Sequence, residues 1–324
     1  MRLLVTGGAG YIGSVVTACL LAEGHDVVVL DDLSTGHADA VPAGAAFVHG
    51  DLRTDAAGLL AGGVDAVLHF AAKSLVAESM ARPELYWGNN LGGTLALLAA
   101  MRTAGVGRIV FSSTAAVYGE PDSVPIAETA PARPASPYGA SKVAVDTALT
   151  EFARMHDLGA VSLRYFNVAG AHQDAAGYWL GERHGPETHL IPNVLAVARQ
   201  HSGQVEIFGD DYPTHDGTCV RDYIHVTDLA AAHVLALRAC TPGRHQIYNL
   251  GSGSGYSNRE VLAACEAAAG EQIPFRIGPR RPGDPAVLVA SSDRISAELG
   301  WRPQRGLAQM TADAWAFELH KTGR

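Results

Sequence analysis

The sequence predicts an α/β protein in which a doubly wound parallel sheet is followed by a smaller C-terminal α/β lobe. Strand-like apolar runs alternate with helical patterns through the first half, which is typical of a parallel sheet covered by helices. The predicted strands are 2–6, 27–31, 46–49, 66–69, 107–112 and 160–165, and the predicted helices between them are 14–22, 93–104 and 138–156. A glycine-rich turn after the first strand and a weaker alternation after about residue 170 support the same architecture.

The turn between the first strand and the first helix contains Gly7, Gly10 and Gly13, and Gly8 begins a second register of the same motif. Glycine allows a tight turn, close approach of the backbone to a pyrophosphate, and close packing of helix on strand. The helix N-terminus then presents free N–H groups to the phosphates. Because the glycines lie between a strand and a helix, we predict a Rossmann-type dinucleotide site.

The later strands end in residues that suit the same ligand. Asp31 ends the second strand, where a carboxylate accepts hydrogen bonds from adenosine ribose hydroxyls and repels a 2′-phosphate, so we predict NAD rather than NADP. Asp51 follows the third strand and is placed to bond the adenine amine. The small residues of Phe70-Ala71-Ala72 follow the fourth strand, and Ser112-Ser113-Thr114 follows the fifth. All of these residues therefore fall on the carboxyl edge of one sheet, where ligands of such sheets bind.

Tyr138 and Lys142 lie four residues apart at the start of the predicted helix 138–156. Residues at this spacing share one face of a helix. A phenol has a pKa of about 10, and a nearby positive charge lowers it. With a hydride-accepting cofactor, the pair is suited to oxidising a secondary alcohol, and we predict that Lys142 and the nicotinamide charge lower the pKa of Tyr138. A surface Tyr–Lys pair is the alternative if the motif is taken alone.

The second half is predicted to form the smaller lobe, after loops rich in Gly, Pro and His from 171 to 192. Its predicted elements are a helix at 191–201, a strand at 204–208, a helix at 228–238, a strand at 246–250, a helix at 258–269 and a Pro/Arg-rich segment at 274–285. We predict an NAD-binding domain over 1–170 and a substrate lobe over 171–324, with 225–250 packing back on the first domain.

Composition excludes several other classes of protein. A formal net charge of −9 over 324 residues argues against binding nucleic acid or an acidic membrane surface. No apolar run is long enough to span a bilayer, and the first residues already form a predicted strand, so we expect neither a membrane segment nor a signal peptide. Four cysteines without a CxxC pair predict reduced thiols in the cytoplasm. The histidines show no HExxH spacing, and we predict no metal site; they include His69, His172, His184, His189 and His201.

Several segments together resemble the extended short-chain dehydrogenase/reductase family, and within it the sugar-nucleotide 4-epimerases. These segments are Thr6 to Gly13, His69 to Ala72, Asn89-Asn90, Phe111 to Gly119, Ser136 to Lys142, Leu163 to Asn167, and Phe208 to Val226. The resemblance implies an NAD-dependent inversion of C4 of a UDP-hexose through a 4-keto intermediate. It also implies a homodimer that pairs through helices like those at 93–104 and 138–156.

The resemblance assigns residues to the cofactor and to the substrate. The implied cofactor contacts are Gly7, Gly10, Tyr11, Ile12, Gly13, Asp31, Asp32, Asp51, Leu52, Phe70, Ala71, Ala72, Asn89, Ser112, Tyr138, Lys142 and Phe166. The implied contacts to the UDP-sugar are Thr114, Asn167, Leu190, Phe208, Arg221, Tyr223, Arg281, Asp284 and Leu288. In this set the arginines hold the diphosphate, Asp284 accepts ribose hydroxyls of UDP, and Thr114 relays the substrate proton to Tyr138.

Departures from related enzymes limit the predicted reaction. Ala115 and Ala116 stand where related 4,6-dehydratases place an Asp–Glu pair, so we expect no elimination step. Asp32 stands where the family usually has Asn, which disfavours NADP further. Lys73 receives no cofactor role, because Lys73-Ser74 replaces a Leu-Lys of many relatives. Leu288 is intermediate in size between the Tyr and Cys of other epimerases, so activity on N-acetylated sugars stays open.

Three alternatives remain at this point. The first is a 4-epimerase of UDP-N-acetylhexosamine or of a UDP-uronic acid. The second is an ordinary dehydrogenase that releases NADH, and the third is a non-enzymatic dinucleotide sensor on the same fold.

Overall fold

A computed structural model describes residues 1–281 and 283–321. Within these residues seven parallel strands form the main sheet, whose strands are Arg2–Thr6, Asp26–Asp31, Ala46–His49, Ala66–His69, Arg108–Thr114, Gly159–Tyr165 and His245–Leu250. The first strand lies inside the sheet, between Asp26–Asp31 on one side and Ala66–His69 on the other. The direction of winding therefore reverses beside Arg2–Thr6, and a crevice opens beyond the carboxyl ends of these strands.

Helices cover both faces of this sheet, which explains why its strands are continuous apolar runs. Tyr11–Ala22 and Val226–Ala239 pack on one face, around a core that includes Leu3, Val5 and Val29. The other face is covered by the helices Leu52–Ala61, Gly93–Ala104 and Pro137–His156. The short helices Val76–Ala81 and Pro83–Tyr86 lead into a π-helical turn at Trp87–Gly92, and 3-10 turns lie at Ala38–Ala40 and Ala115–Val117.

The second half builds a separate apolar core around three longer helices. These helices are Leu190–Gln200, Asn258–Ala269 and Leu307–His320, and a shorter one spans Asp293–Leu299. Val220–His225 is the central strand of a small sheet and pairs with Asn167–Ala169, Gly255–Ser257 and Val287–Leu288. Two further pairs are Val205–Phe208 with Phe275–Gly278, and Ala171–Gln173 with Trp179–Gly181.

The structure confirms the predicted doubly wound sheet and the predicted strands and helices of the first half. It also places His245–Leu250 beside Gly159–Tyr165, in the main sheet. The domain division at 170 stays a prediction, and residues 322–324 of the predicted lobe and Pro282 of segment 274–285 lie outside the described residues. None of the helices among the described residues is both long and apolar enough to cross a membrane.

Several elements differ from the sequence prediction. Residues 171–192 are not all loop, because they contain the hairpin formed by Ala171–Gln173 and Trp179–Gly181. The helix Leu52–Ala61 was not predicted, since it buries only Ala56 and Leu60 and therefore has a weak apolar pattern. Val220–His225 was not predicted as a strand because charged and apolar residues are mixed along it.

Candidate active site

One cleft of about 930 Å³ follows the carboxyl edge of the main sheet and continues into the second lobe. Every residue that we predicted to contact the cofactor or the UDP-sugar lines this cleft. The glycine turn and Asp31 lie in the same cavity as Tyr138, Lys142 and Arg221. The structure therefore brings the predicted site residues together, while their individual roles stay predictions.

The glycine turn leaves no space for side chains. Gly7 has a φ of +73°, and a Cβ there would lie 2.5 Å from the backbone nitrogen of Ala71. A Cβ on Gly13 would lie 2.2 Å from the carbonyl oxygen of Gly7. The helix Tyr11–Ala22 has no side-chain cap at its N-terminus, so its first N–H groups can bind an anionic ligand.

We expect Gly13→Ala to lose bound dinucleotide and to lower the free energy of unfolding by about 1–3 kcal/mol, because the added methyl group forces the turn apart. Gly58→Ala is the matched control: a Cβ at this position of the helix Leu52–Ala61 meets nothing within 4 Å. That change should stabilise by about 0.5–1 kcal/mol. Bound NAD per chain and urea unfolding measure both effects. Unchanged NAD content in the Gly13 variant would contradict the prediction.

The acidic residues near the glycine turn also organise the backbone. Asp31 accepts hydrogen bonds from the N–H groups of Ala9 and Leu33, both at 2.9 Å, and burial raises its pKa. Asp51 caps the helix Leu52–Ala61 and pairs with Arg53, whose Nη2 lies 2.7 Å from Oδ2. The side-chain hydrogen bond from Arg53 lowers the pKa of Asp51 to about 2. A bond from Asp51 to an adenine amine stays a prediction, and it would compete with this ion pair.

The start of the helix Pro137–His156 positions the predicted base. Ser136 caps the helix by accepting a hydrogen bond from the N–H of Gly139 at 3.2 Å, so Tyr138 and Lys142 share a face as predicted. The ammonium of Lys142 donates to the carbonyl oxygen of Ser112 at 2.7 Å and lies 5.9 Å from the centre of the Tyr138 ring.

Thr114 performs two functions at the end of its strand. Its Oγ1 accepts a hydrogen bond from the N–H of Ala116 at 3.1 Å, and its side chain is near enough to Tyr138 to lower the pKa of the phenol. The hydroxyl is therefore both a local cap and a direct neighbour of the phenol. This contact is the one that the proposed proton relay requires.

The pKa shifts at this site bear on the predicted pairing of Tyr138 with Lys142. Burial raises the pKa of Tyr138 above its ordinary value, and the nearby side chain of Thr114 offsets only part of that effect. Burial also lowers the pKa of Lys142 to about 7, against the charge of Asp146, so its ammonium is only partly charged at neutral pH. The structure does not show Lys142 lowering the pKa of Tyr138, and that predicted effect stays a prediction. The predicted effect of the nicotinamide charge stays a prediction.

We expect Lys142→Met to be more stable than the parent at pH 6 by about 1–3 kcal/mol, because it removes a buried charge. Between pH 7 and 10.5 the unfolded parent keeps the proton that the folded parent has lost, so the parent gains stability as pH rises. The advantage of the variant should shrink over this window. Urea unfolding at pH 6, 8 and 10 measures it, and a difference independent of pH would contradict the prediction.

Asn90 is a positioning residue that the sequence analysis named only within the resembling pair Asn89-Asn90, without a role. It lies in the π-helical turn Trp87–Gly92 and is almost fully buried. Its side chain accepts from the N–H of Lys73 and donates to the carbonyl oxygen of Lys73, both at 2.9 Å, and it also donates to Ser141 at 3.2 Å. Asn90 thereby ties the segment after Ala72 to the helix that carries Tyr138. The π-helical turn cannot be seen in the residue pattern, although such turns are frequent at functional sites.

The substrate side of the cleft carries arginine and aromatic side chains. Arg221 pairs with Asp284 at 2.6 Å, and the guanidinium of Arg281 lies 3.9 Å from the centre of the Phe208 ring. Arginine stacked on an aromatic face keeps its donors available for phosphate. Arg221 and Asp284 are paired with each other. A bound diphosphate would therefore compete with Asp284 for Arg221, and a bound ribose would compete with Arg221 for Asp284.

Burial raises the pKa of the Tyr223 phenol, and the nearby side chain of Asn167 opposes part of that effect. Both residues lie on paired strands, with Tyr223 opposite Asn167 in the register. Leu190 begins the helix Leu190–Gln200, and Leu288 lies on the strand beside Arg221. These four predicted substrate contacts therefore come from four different elements.

The structure also brings together four side chains that the spacing of histidines did not predict. Glu182, His184, Glu187 and His189 place their side-chain ligand atoms within 4.8 Å of one another on the wall of the cleft. Burial lowers the pKa of His184, but Glu182 and Glu187 outweigh it and raise that pKa to about 10. In the sequence these residues form Glu-x-His with a second His five residues later. This spacing is not a standard metal-binding signature, so the sequence analysis did not find the cluster.

Comparison with known proteins decides the family. Residues 3–251 match the NAD-dependent epimerase/dehydratase family. The chain belongs to this family. It is 55% identical to a UDP-glucose 4-epimerase of Streptomyces lividans over 324 residues, which covers 98% of this chain and 95% of that protein.

Two solved structures of family members share the fold. A UDP-glucose 4-epimerase of Stenotrophomonas maltophila with bound NAD and formylated UDP-arabinopyranose is 44% identical, with a TM-score of 0.93, 99% of this chain covered and 98% of that chain. The enzyme of Bifidobacterium longum in complex with NAD⁺ and UDP is 39% identical, with a TM-score of 0.92 and 99% of each chain covered. The predicted family and NAD as the cofactor are thereby confirmed.

Proposed function

We propose that the protein interconverts UDP-galactose and UDP-glucose by inverting C4 of the hexose, with an NAD that it retains between turnovers. The similar proteins are named UDP-glucose 4-epimerases, and the family to which the chain belongs is NAD-dependent. The observation that carries the proposal is that Tyr138, Thr114 and Lys142 face the same cleft as the glycine turn. A dinucleotide lying on that turn and a sugar beside Tyr138 would share one cavity.

The residues of the first domain bind the cofactor and move the proton. NAD, when bound, would supply an acceptor for the hydride of C4 and a donor of hydride to the other face of the sugar. The glycine turn and the free N–H groups of the helix Tyr11–Ala22 hold the pyrophosphate, and Asp31 accepts ribose hydroxyls. Tyr138, whose ionisation we attribute to the positive charge of the nicotinamide, takes the proton of the 4-hydroxyl through Thr114 as a phenolate and later gives it back.

The residues of the second half hold the nucleotide and leave the sugar free to turn. Arg221 and Arg281 bind the diphosphate, and the ring of Phe208 stacks against the guanidinium of Arg281. The 4-keto sugar rotates about its diphosphate bonds and presents the opposite face to the cofactor. Ala115 and Ala116 offer no acid or base near the sugar, which supports oxidation and reduction without elimination.

We also propose a homodimer in the cytoplasm. The helices Gly93–Ala104 and Pro137–His156 expose apolar side chains that a second copy would cover, with Leu95 40% and Met155 63% exposed. The four cysteines are free in the structure, which suits a reducing compartment. Sedimentation of the purified protein tests the dimer.

The activity test is incubation of the purified protein with UDP-galactose and no added cofactor. We expect UDP-glucose to form without a rise in absorbance at 340 nm, because NADH is consumed within each turnover. Net accumulation of NADH would indicate an ordinary dehydrogenase instead. A parallel incubation with UDP-N-acetylgalactosamine decides whether Leu288 leaves room for an N-acetyl group. Failure of both substrates to react would overturn the proposal.

A further inference from the structure

The segment between the strand Trp179–Gly181 and the helix Leu190–Gln200 gathers two imidazoles and two carboxylates. The Nδ1 of His184 lies 3.0 Å from Oε1 of Glu182 and 3.6 Å from Oε1 of Glu187. The Nδ1 of His189 contacts Glu182 and lies 3.8 Å from Oε1 of Glu187. Four ligands at about 2.0–2.1 Å from a tetrahedral Zn²⁺ stand about 3.4 Å from one another. The three longer distances in the cluster, 3.0, 3.6 and 3.8 Å, lie on both sides of this ligand-to-ligand distance.

The cluster is also held in place by its surroundings. The Glu182 side chain is only 8% exposed, so its charge is removed from water. The backbone N–H groups of Thr188 and His189 donate to Oε1 of Glu187 at 2.8 Å and 3.0 Å, which fixes that carboxylate. The Nδ1 of His184 is buried and makes no hydrogen bond of good geometry, although carboxylate oxygens are near. A ring nitrogen placed beside a carboxylate but not aligned with it suits a cation that both groups contact.

We propose that Glu182, His184 and His189 bind one divalent transition-metal ion, with Zn²⁺ preferred, and that Glu187 neutralises or completes the site. Two histidines and one carboxylate are a ligand set that zinc uses, and imidazole nitrogen disfavours Mg²⁺ and Ca²⁺. When both imidazoles are neutral, the two carboxylates give the cluster two negative charges, which a divalent ion balances. The position of these residues in the cleft wall keeps the ion accessible from solvent.

The bound ion would fix a connection between the two halves of the cleft. Arg183, between two of the proposed ligands, pairs with Asp39 at 2.6 Å, and its carbonyl oxygen lies 3.1 Å from Nε2 of His37. Residues 37 and 39 follow Asp31, which we assign to the adenosine ribose. His189 is also the residue from which the helix Leu190–Gln200 begins. The ion therefore acts on the structure of the cleft wall.

The test is calorimetric titration of the chelator-treated full-length protein with Zn²⁺ and, separately, with Mg²⁺. We expect one Zn²⁺ per chain, at least a hundredfold weaker binding of Mg²⁺, and a rise in Tm of about 3 °C or more with saturating Zn²⁺. His184→Gln and His189→Gln should each weaken Zn²⁺ binding by tenfold or more. The control is His201→Gln, because His201 faces only Glu271 at 3.3 Å, outside the cluster.

Circular dichroism and bound NAD content show whether each variant is folded. Stoichiometric zinc that is lost in the two cluster variants and kept in the control supports the site. Absence of saturable zinc binding overturns the proposal, and so does equal binding by the parent and both cluster variants. The readout is metal binding, so this result is independent of whether UDP-galactose is the substrate.

Discussion

Replacing Tyr138 with Phe is expected to lower turnover of UDP-galactose by about 10²–10⁴-fold, the usual contribution of a positioned proton acceptor. The ring would keep its packing, but the hydroxyl that lies near Thr114 would be gone. Bound NAD per chain should not change, because the glycine turn and Asp31 are untouched. The measurement is the rate of UDP-glucose formation at saturating substrate, together with the NAD content of the purified variant.

Tyr86 provides a matched control for this substitution. Its ring meets the ring of Tyr138 edge to face at 6.2 Å, and its hydroxyl donates to the carbonyl oxygen of Leu75 at 2.6 Å. Tyr86→Phe should lower the free energy of unfolding by about 1 kcal/mol and change turnover by less than about twofold. A Tyr138 variant that turns over within tenfold of the parent would contradict the assignment of the phenol. Equal losses in both variants would mean that ring packing, not proton transfer, is being measured.

The placement of Tyr138 could be predicted from sequence because it follows from local rules. A proline and a capping serine start the helix, and a spacing of four residues puts Lys142 on the same face. The glycine turn and the ends of the parallel strands are local in the same sense. The other predicted site residues come together because the order of the parallel strands brings the carboxyl ends of distant strands to one edge of the sheet.

The electrostatics of the site could not be predicted in the same way. The charge of Lys142 depends on burial and on Asp146, and the engagement of Asp51 by Arg53 depends on side-chain conformations. The cluster of Glu182 with His184 and His189 depends on the path of a loop after a hairpin that the sequence did not reveal. Each of these features is a tertiary contact, and none has a periodic signal in the chain.

A second large effect is expected at the buried ion pair behind Lys142. Asp146 and Arg164 are 5% and 6% exposed, and Oδ2 of Asp146 accepts from Nη2 at 2.8 Å and from Nε at 3.1 Å. Asp146→Ala should lower the free energy of unfolding by about 3–5 kcal/mol, because it leaves the guanidinium buried without its counter-charge. Urea unfolding at saturating NAD measures the loss.

The same helix carries the control. Glu151 pairs with Arg154 at 2.6 Å, but both side chains are more than half exposed. Glu151→Ala should change stability by at most about 1 kcal/mol, because water screens the pair. Similar losses for the Asp146 and Glu151 variants would contradict the prediction. Replacing both partners of the buried pair, as Asp146→Leu with Arg164→Met, should recover much of the loss.

The buried pair also connects stability to the reaction through Lys142. The charge of Asp146 opposes the effect of burial and raises the pKa of Lys142. The conservative change Asp146→Asn should therefore lower that pKa further, and if turnover requires the charged ammonium, its alkaline decline should begin at a lower pH than in the parent. A purely structural role would reduce turnover equally at every pH. The pH profile of turnover in Asp146→Asn separates these outcomes, because only the loss of a charge beside the lysine moves the decline.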